Sequence, residues 1–192
     1  MLFRSLQEAW IKRLNEKYNK NVDFTRVKGW DIGVYYPTLS RDQVLSPLFE
    51  DHFWYNVRPK EDAVYCLRKL FDEGFSIFVV TSSHYATLVN KFEQALFPYF
   101  PFIDADTIIV CSKKQLIRGN VLIDDGVHNL MDSDIINAEY NKILFTANTN
   151  IDFDAIKNNI QRVSNWHEIY SIVERLYENE LEKSTGEKEK VN

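Results

Sequence analysis

Three short stretches of this sequence hold residue types that could together manage a phosphoryl group. Thr81-Ser82-Ser83 follows the apolar run Phe75-Ser76-Ile77-Phe78-Val79-Val80, Lys114 with Lys113 beside it follows a run ending at Val110, and Asp124 and Asp125 follow Val121-Leu122-Ile123 directly. Hydroxyls and backbone N–H groups where a helix begins can bind phosphate oxygens. An ammonium can neutralise the charge on a transferring phosphoryl group. Two adjacent carboxylates at a strand end are costly unless a cation or donors neutralise them, and magnesium, a hard ion that prefers oxygen ligands, fits that need. Each signal also has an ordinary reading: Ser and Thr cap helices, lysines are mostly solvated surface, and Asp125-Gly126 spells a turn. Taken together, a hydroxyl, a lysine and paired acids at three successive strand ends form the set that phosphoryl transfer needs.

Those residues need elements to hold them at one edge. Leu6, Trp10, Leu14 and Tyr18 recur at four-residue spacing, which predicts an opening amphipathic helix that stops at the polar stretch Asn19 to Asn21. From Val22 to Pro59 the periodicity is poor and glycines, prolines and aromatics accumulate, which predicts a small irregular helical insertion. Ala63, Leu67, Leu70 and Phe71 then form a helical stripe closed by Gly74. A strand over Phe75 to Val80, a helix through Leu88, Val89, Phe92 and Leu96, and strands at Thr107 to Val110, Val121 to Ile123 and Ile143 to Phe145 complete an α/β alternation with a parallel sheet. Asn165 with Glu168 resembles a capping box before a last helical stripe from Trp166 to Tyr177. In such sheets ligands bind at the carboxyl ends of the strands, where the three polar stretches lie.

Composition bounds the partners. The net charge of -5 and the lack of a Lys/Arg-dense stretch argue against a long nucleic acid bound through its phosphates. No run of eighteen apolar residues and no signal-peptide pattern occur, so the expectation is a cytoplasmic protein without a membrane partner. Cys66 and Cys111 are read as reduced, buried thiols, and His52, His84, His128 and His167 are scattered, which makes a zinc site unexpected. None of the six glycines falls in a P-loop or dinucleotide pattern.

On Val79-Val80-Thr81-Ser82, Lys114 and Val121-Leu122-Ile123-Asp124-Asp125, the sequence resembles the haloacid dehalogenase (HAD) superfamily, and within it the 5′(3′)-deoxyribonucleotidase-type pyrimidine nucleotidases. Leu144-Phe145-Thr146-Ala147-Asn148 and Val163-Ser164-Asn165-Trp166 add to the likeness, which runs from about Leu6 to about Tyr177. The resemblance implies a HAD-like Rossmannoid three-layer α/β fold divided as a first core helix (residues 1–20), a helical cap (21–59) and an α/β core (60–182), and the polar, charged composition of residues 183–192 predicts a disordered tail. It also implies Mg²⁺-dependent dephosphorylation of (deoxy)ribonucleoside 5′-monophosphates through an aspartyl-phosphate. Thr81, Ser82 and Lys114 would hold the phosphate, Asp125 would be a direct metal ligand with Asp124 beside it, and Lys114 and Asp124 would serve the chemistry. Trp30, Phe49, Phe53 and Trp54 of the cap would stack on the base or form the cap's own core. A homodimer is left open.

The pattern departs from that family in one respect. Its first motif, an apolar central strand ending in an Asp-x-Asp nucleophile, should precede the opening helix, and the expectation is that the reading frame continues upstream of Met1. Asp104/Asp106, Asp132/Asp134 and Asp152/Asp154 match the spacing but do not follow a strand. A chain without the nucleophile is expected to be marginally folded and inactive. A non-catalytic nucleotide-binding or interaction module of the same fold is therefore the alternative. A receiver-type signalling domain fits poorly, because its acid pair would follow the first strand.

Overall fold

A computed structural model describes residues 6–131 and 141–189. Asp132 and Asp134, the last residues of the expected tail and anything before Leu6 lie outside the described residues.

Helix α1 (Leu6–Tyr18) buries Gln7, Ile11 and Leu14 and ends where Asn19 takes a left-handed conformation (φ 48°). The four-residue spacing read from the sequence therefore marks this helix correctly. Residues 21–59 fold into short pieces: 3₁₀ turns at Phe24–Arg26, Ile32–Tyr35, Ser46–Phe49 and Trp54–Asn56, and helix α2 (Arg41–Leu45) with a Ser40/Gln43 capping box. This segment is fastened to α1. Val27, Ile32, Tyr36 and Val44 share a core with Ile11 and Leu14, Trp10 Nε1 donates to the Val44 carbonyl (2.6 Å), and Glu50 receives Arg13 (2.6 Å) and Lys17 (2.8 Å).

The main core gathers around helix α3 (Ala63–Asp72), whose buried Ala63, Cys66, Leu67 and Leu70 repeat at three- and four-residue intervals. Gly74 closes it at φ 91°, a left-handed position that glycine takes without a side-chain penalty, and Phe75 N–H reaches back to the Leu70 carbonyl (3.1 Å). Strand β1 covers only Val79–Thr81, shorter than the predicted run. Exposure still alternates over Phe75 to Phe78, but among the described residues β1 pairs only with β2 (Ile108–Val110), which is three residues long and ends the ladder at Val79. Helix α4 (Leu88–Lys91) widens into a π turn at Phe92–Leu96, marked by Phe97 N–H on the Phe92 carbonyl (2.9 Å).

Strands β3 (Val121–Asp124), β4 (Asn141–Phe145) and β5 (Gln161–Val163) form a second parallel sheet in that order, with helix α5 (Val127–Met131) after β3. Strand β5 escapes the sequence reading, because three residues with a single buried apolar one show no period. Helix α6 (Trp166–Glu189) starts at a box in which Asn165 Oδ1 accepts the Glu168 N–H (3.0 Å). It runs to Glu189, so the tail expected from residue 183 is helical through that point. Lys and Glu are good helix formers, and the helix extends outward from packed Ile169 and Val173 without a stop signal before Gly186. No described helix is long and apolar enough to cross a membrane.

The architecture is thus α/β with parallel strands, but the strands form two sheets, β1-β2 and β3-β4-β5. Among the described residues no strand bridges β1 and β3. Between them lies a cavity of ≈ 1510 Å³ lined by residues of both.

Candidate active site

The carboxyl ends of β1 and β3 bring polar groups to the wall of that cavity. Thr81 closes β1 almost fully buried, at 6% exposure, with its Oγ1 3.1 Å from Ser83 Oγ. Lys91 at the end of α4 donates to both hydroxyls, 2.5 Å to Thr81 and 2.6 Å to Ser83. Burial and the nearby Lys114 ammonium pull the Lys91 pKa down to about 8. Ser82 is exposed, and it is Ser83 that joins Thr81.

Lys114 opens a 3₁₀ turn (Lys114–Leu116) and places Nζ 2.7 Å from Asp124 Oδ2. Asp124 is 2% exposed, and its other oxygen accepts the Gly126 N–H at 2.7 Å. Burial pushes the Asp124 carboxyl up, but the Lys114 charge and hydrogen bond, with the Gly126 N–H, outweigh it and hold the pKa below the usual carboxylate range. The Asp-Gly turn and the ion pair therefore coexist. A Cβ at Gly126 would stand 2.8 Å from His128 Cε1 and 2.9 Å from Asn129 Nδ2, so both side chains would have to shift to admit one.

Asp125 is half-buried on the same wall, and among the described residues no hydrogen bond or ion pair engages its carboxylate. Its backbone is fixed from the next strand end. Asn150, 3% exposed, donates to the carbonyls of Asp125 (2.9 Å) and Phe145 (2.8 Å), and accepts from Ala147 N–H (3.1 Å) and Arg162 (3.0 Å).

The aromatics separate into two groups. Trp30 (47% exposed) and Phe49 (46%) line the cavity, Phe49 edge-on to His84 with centroids 5.5 Å apart. Trp54 also lines it but is 2% exposed, its indole N–H on the Leu48 carbonyl (3.0 Å) and its ring 5.7 Å from Lys91 Nζ. Phe53 lies off the cavity, buried with Trp54, Val57 and Ala95. The exposed Asp104 and Asp154 cap local turns, and Asp152 pairs with Lys28 at 3.7 Å. Cys66 is buried as expected, whereas Cys111 is half-exposed beside the Lys113 carbonyl (3.3 Å).

Residues 3–178 match the family described as 5′ nucleotidase, deoxy (pyrimidine), cytosolic type C. The chain belongs to this family. It is 33% identical over 172 residues to a 5′(3′)-deoxyribonucleotidase of Clostridium acetobutylicum, covering 90% of this chain and 89% of the relative. It is 32% identical over 163 residues to proteins of the same description from Bacillus subtilis and Bacillus phage SPbeta, covering 84% of the chain and 85% of each relative. Membership makes this a chain of the 5′-nucleotidase hydrolases, as the family resemblance implied.

Within this nucleotidase frame, Lys91 and Asn150 are the polar contributors the sequence reading missed, while Ser83 belongs to the hydroxyl stretch it singled out. The available signal for Lys91 was a lone cation in the run Leu88-Val89-Asn90-Lys91-Phe92. An unfolded lysine titrates at about 10.4, so between about pH 8 and 10.4 the unfolded chain holds more protons than the folded one. Lys91 should therefore add stability as pH rises across that window, while the Cys66 thiol, raised by burial, acts in the opposite sense. The difference in urea midpoint between parent and Lys91→Met should rise with pH there, and a difference that is flat or falling would contradict the assignment.

Proposed function

We propose that these residues form the phosphate and metal frame of a magnesium-dependent nucleotidase acting on deoxyribonucleoside 5′-monophosphates. The observation that carries the reading is that Thr81, Lys114, Asp124 and Asp125 all line one cavity, which also exposes Trp30 and Phe49. Thr81, Ser83 and Lys91 would take phosphate oxygens on one side, with exposed Ser82 adding its backbone N–H, and Lys114 would face them from the other. The deoxy preference rests on the similarity to 5′(3′)-deoxyribonucleotidases.

The donor set fits magnesium. Asp125 offers a carboxylate with no described competitor, and Asp124, already satisfied by Lys114 and Gly126, stands next to it as a support and not a second free ligand. Bound there, the ion would act as a Lewis acid on a phosphoryl oxygen. Trp30 and Phe49 would stack on the base, while Trp54 and Phe53 build the roof behind them.

Transfer through an aspartyl-phosphate needs a further aspartate, and Asp124 and Asp125 are the only aspartates among the described residues that line the cavity. This favours binding without turnover for the chain on its own, the non-catalytic module of the same fold. Titration with deoxyuridine monophosphate should show binding that magnesium tightens at least tenfold, with no phosphate release. Asp125→Asn should remove the magnesium increment and leave the metal-free affinity in place. Steady hydrolysis by the chain alone would refute the inactivity, and binding indifferent to both magnesium and Asp125 would sink the metal-site reading.

A further inference from the structure

Gln7 is a polar side chain where an amphipathic helix ordinarily places an apolar one. It lies on the inward face of α1 with Ile11 and Leu14, at 8% exposure, and it lines the cavity. Burying an amide is unfavourable unless its groups are hydrogen-bonded. One of its two groups is satisfied, since Nε2 donates to the Gly29 carbonyl at 3.1 Å.

That bond fixes the orientation of the amide. A carbonyl oxygen only accepts, so the amide nitrogen must face Gly29 and Oε1 is turned away from it. Among the described residues no donor engages Oε1, which stays open to the cavity.

The location of this oxygen decides what it can read. The chain leading to Gly29 is held firmly: Val27 is fully buried against Ile11 and Leu14, and the Lys28 N–H donates to the Tyr35 hydroxyl at 2.9 Å. Trp30 follows directly, half-exposed on the cavity wall. Consecutive Cα atoms stand only about 3.8 Å apart, so the Gln7 acceptor lies beside the ring assigned to the base. A base stacked on that ring turns its edge groups sideways, toward an oxygen in such a position. Trp10, Trp54 and Asn148 line the cavity too, but each has its side-chain donor on a backbone carbonyl, of Val44, Leu48 and Phe24 respectively. Among these side chains, what is left to meet a base edge is the Gln7 oxygen.

We propose that Gln7 Oε1 is a specificity-determining acceptor, which binds a ring N–H of the base in a nucleoside monophosphate, the imide N3–H that uracil and thymine carry. This rests on the nucleotide reading, with the base stacked on Trp30. An enclosed acceptor discriminates against a base whose N–H has been replaced, because the oxygen is then left unpaired.

Deoxyuridine monophosphate, its N3-methyl analogue and deoxyribose 5-phosphate, each titrated calorimetrically against the full chain with magnesium, test the assignment. The parent should bind deoxyuridine monophosphate about tenfold or more tightly than the N3-methyl analogue. Gln7→Met should bring that ratio below about twofold and leave the affinity for deoxyribose 5-phosphate, which has no base, within about twofold of the parent. A Gln7 that merely tethers Gly29 would instead weaken both base-bearing ligands and keep their ratio. Equal binding of the two by the parent would overturn the proposal, and so would a Gln7→Met chain that retains the preference. Trp30→Ala separates the proposal from the reading beneath it, and should bring both base-bearing ligands toward the affinity of deoxyribose 5-phosphate. If it leaves the gain from the base unchanged, the stacking reading falls and the Gln7 assignment with it. If Trp30 carries that gain but the parent ignores N3-methylation, the Gln7 assignment alone is lost.

Discussion

Asp124→Asn is expected to destabilise the folded chain by about 3–5 kcal/mol, the usual cost of removing one partner of a buried ion pair. Asn keeps the shape of the side chain and an oxygen for the Gly126 N–H, so the loss falls on Lys114, whose side chain is only 17% exposed and whose ammonium sits 2.7 Å from Asp124. Urea denaturation at neutral pH measures the loss. Lys114→Met added to Asp124→Asn should recover much of it, because the double replacement leaves no unpaired charge. The sign with pH is fixed by the lowered Asp124 pKa. The contribution is fully present above the unfolded value of about 3.9 and fades as pH falls toward the lower folded value, so the gap between parent and variant should narrow only below about pH 4. A variant within about 1 kcal/mol of the parent at pH 7 would refute the buried-pair account.

The second large effect is expected at Asn150. Its side chain is the common partner of the Asp125 and Phe145 carbonyls, the Ala147 N–H and Arg162. Arg162 in turn donates to the carbonyls of Asn150 (3.0 Å) and Phe153 (2.7 Å). Asn150→Ala leaves several enclosed groups unpaired at about 1–3 kcal/mol each, and a net loss of roughly 3 kcal/mol is expected. It should also loosen Asp125 and so reduce the magnesium dependence of nucleotide binding, which Asn158→Ala, on an exposed turn, should leave alone. Full retention of both stability and magnesium dependence in Asn150→Ala would show that Asp125 is held by other means.

What the sequence could and could not announce follows from the range of the interactions. Helix α3 was readable because its stripe and its Gly74 stop are local, and the acid doublet because it abuts a run of apolar β formers. That Lys114 and Asp124 lie at one site was readable because each follows a predicted strand, but their direct ion pair was not read from the sequence. Lys91 was not, since its function depends on how the α4 turn faces Thr81 and Ser83, and a side-chain type says nothing about that direction. The aromatics divided for the same reason: Phe53 and Trp54 are adjacent and alike in composition, yet only Trp54 reaches the cavity wall, and Trp30 and Phe49 are the exposed pair. Asn150 sits in a polar loop where many asparagines are solvated, and its four partners come together only after β4 and β5 pair.

The π turn after α4 joins two places that are otherwise far apart in purpose. At its start Lys91 grips Thr81 and Ser83; within it Gln94 donates to the Asp51 carbonyl and Ala95 packs under Phe53 and Trp54. The Thr81–Ser83–Lys91 cluster and the aromatic roof thus share one axle of backbone, and under the proposed function a pull on Lys91 from an arriving phosphate would be a torque on the surface that carries the roof.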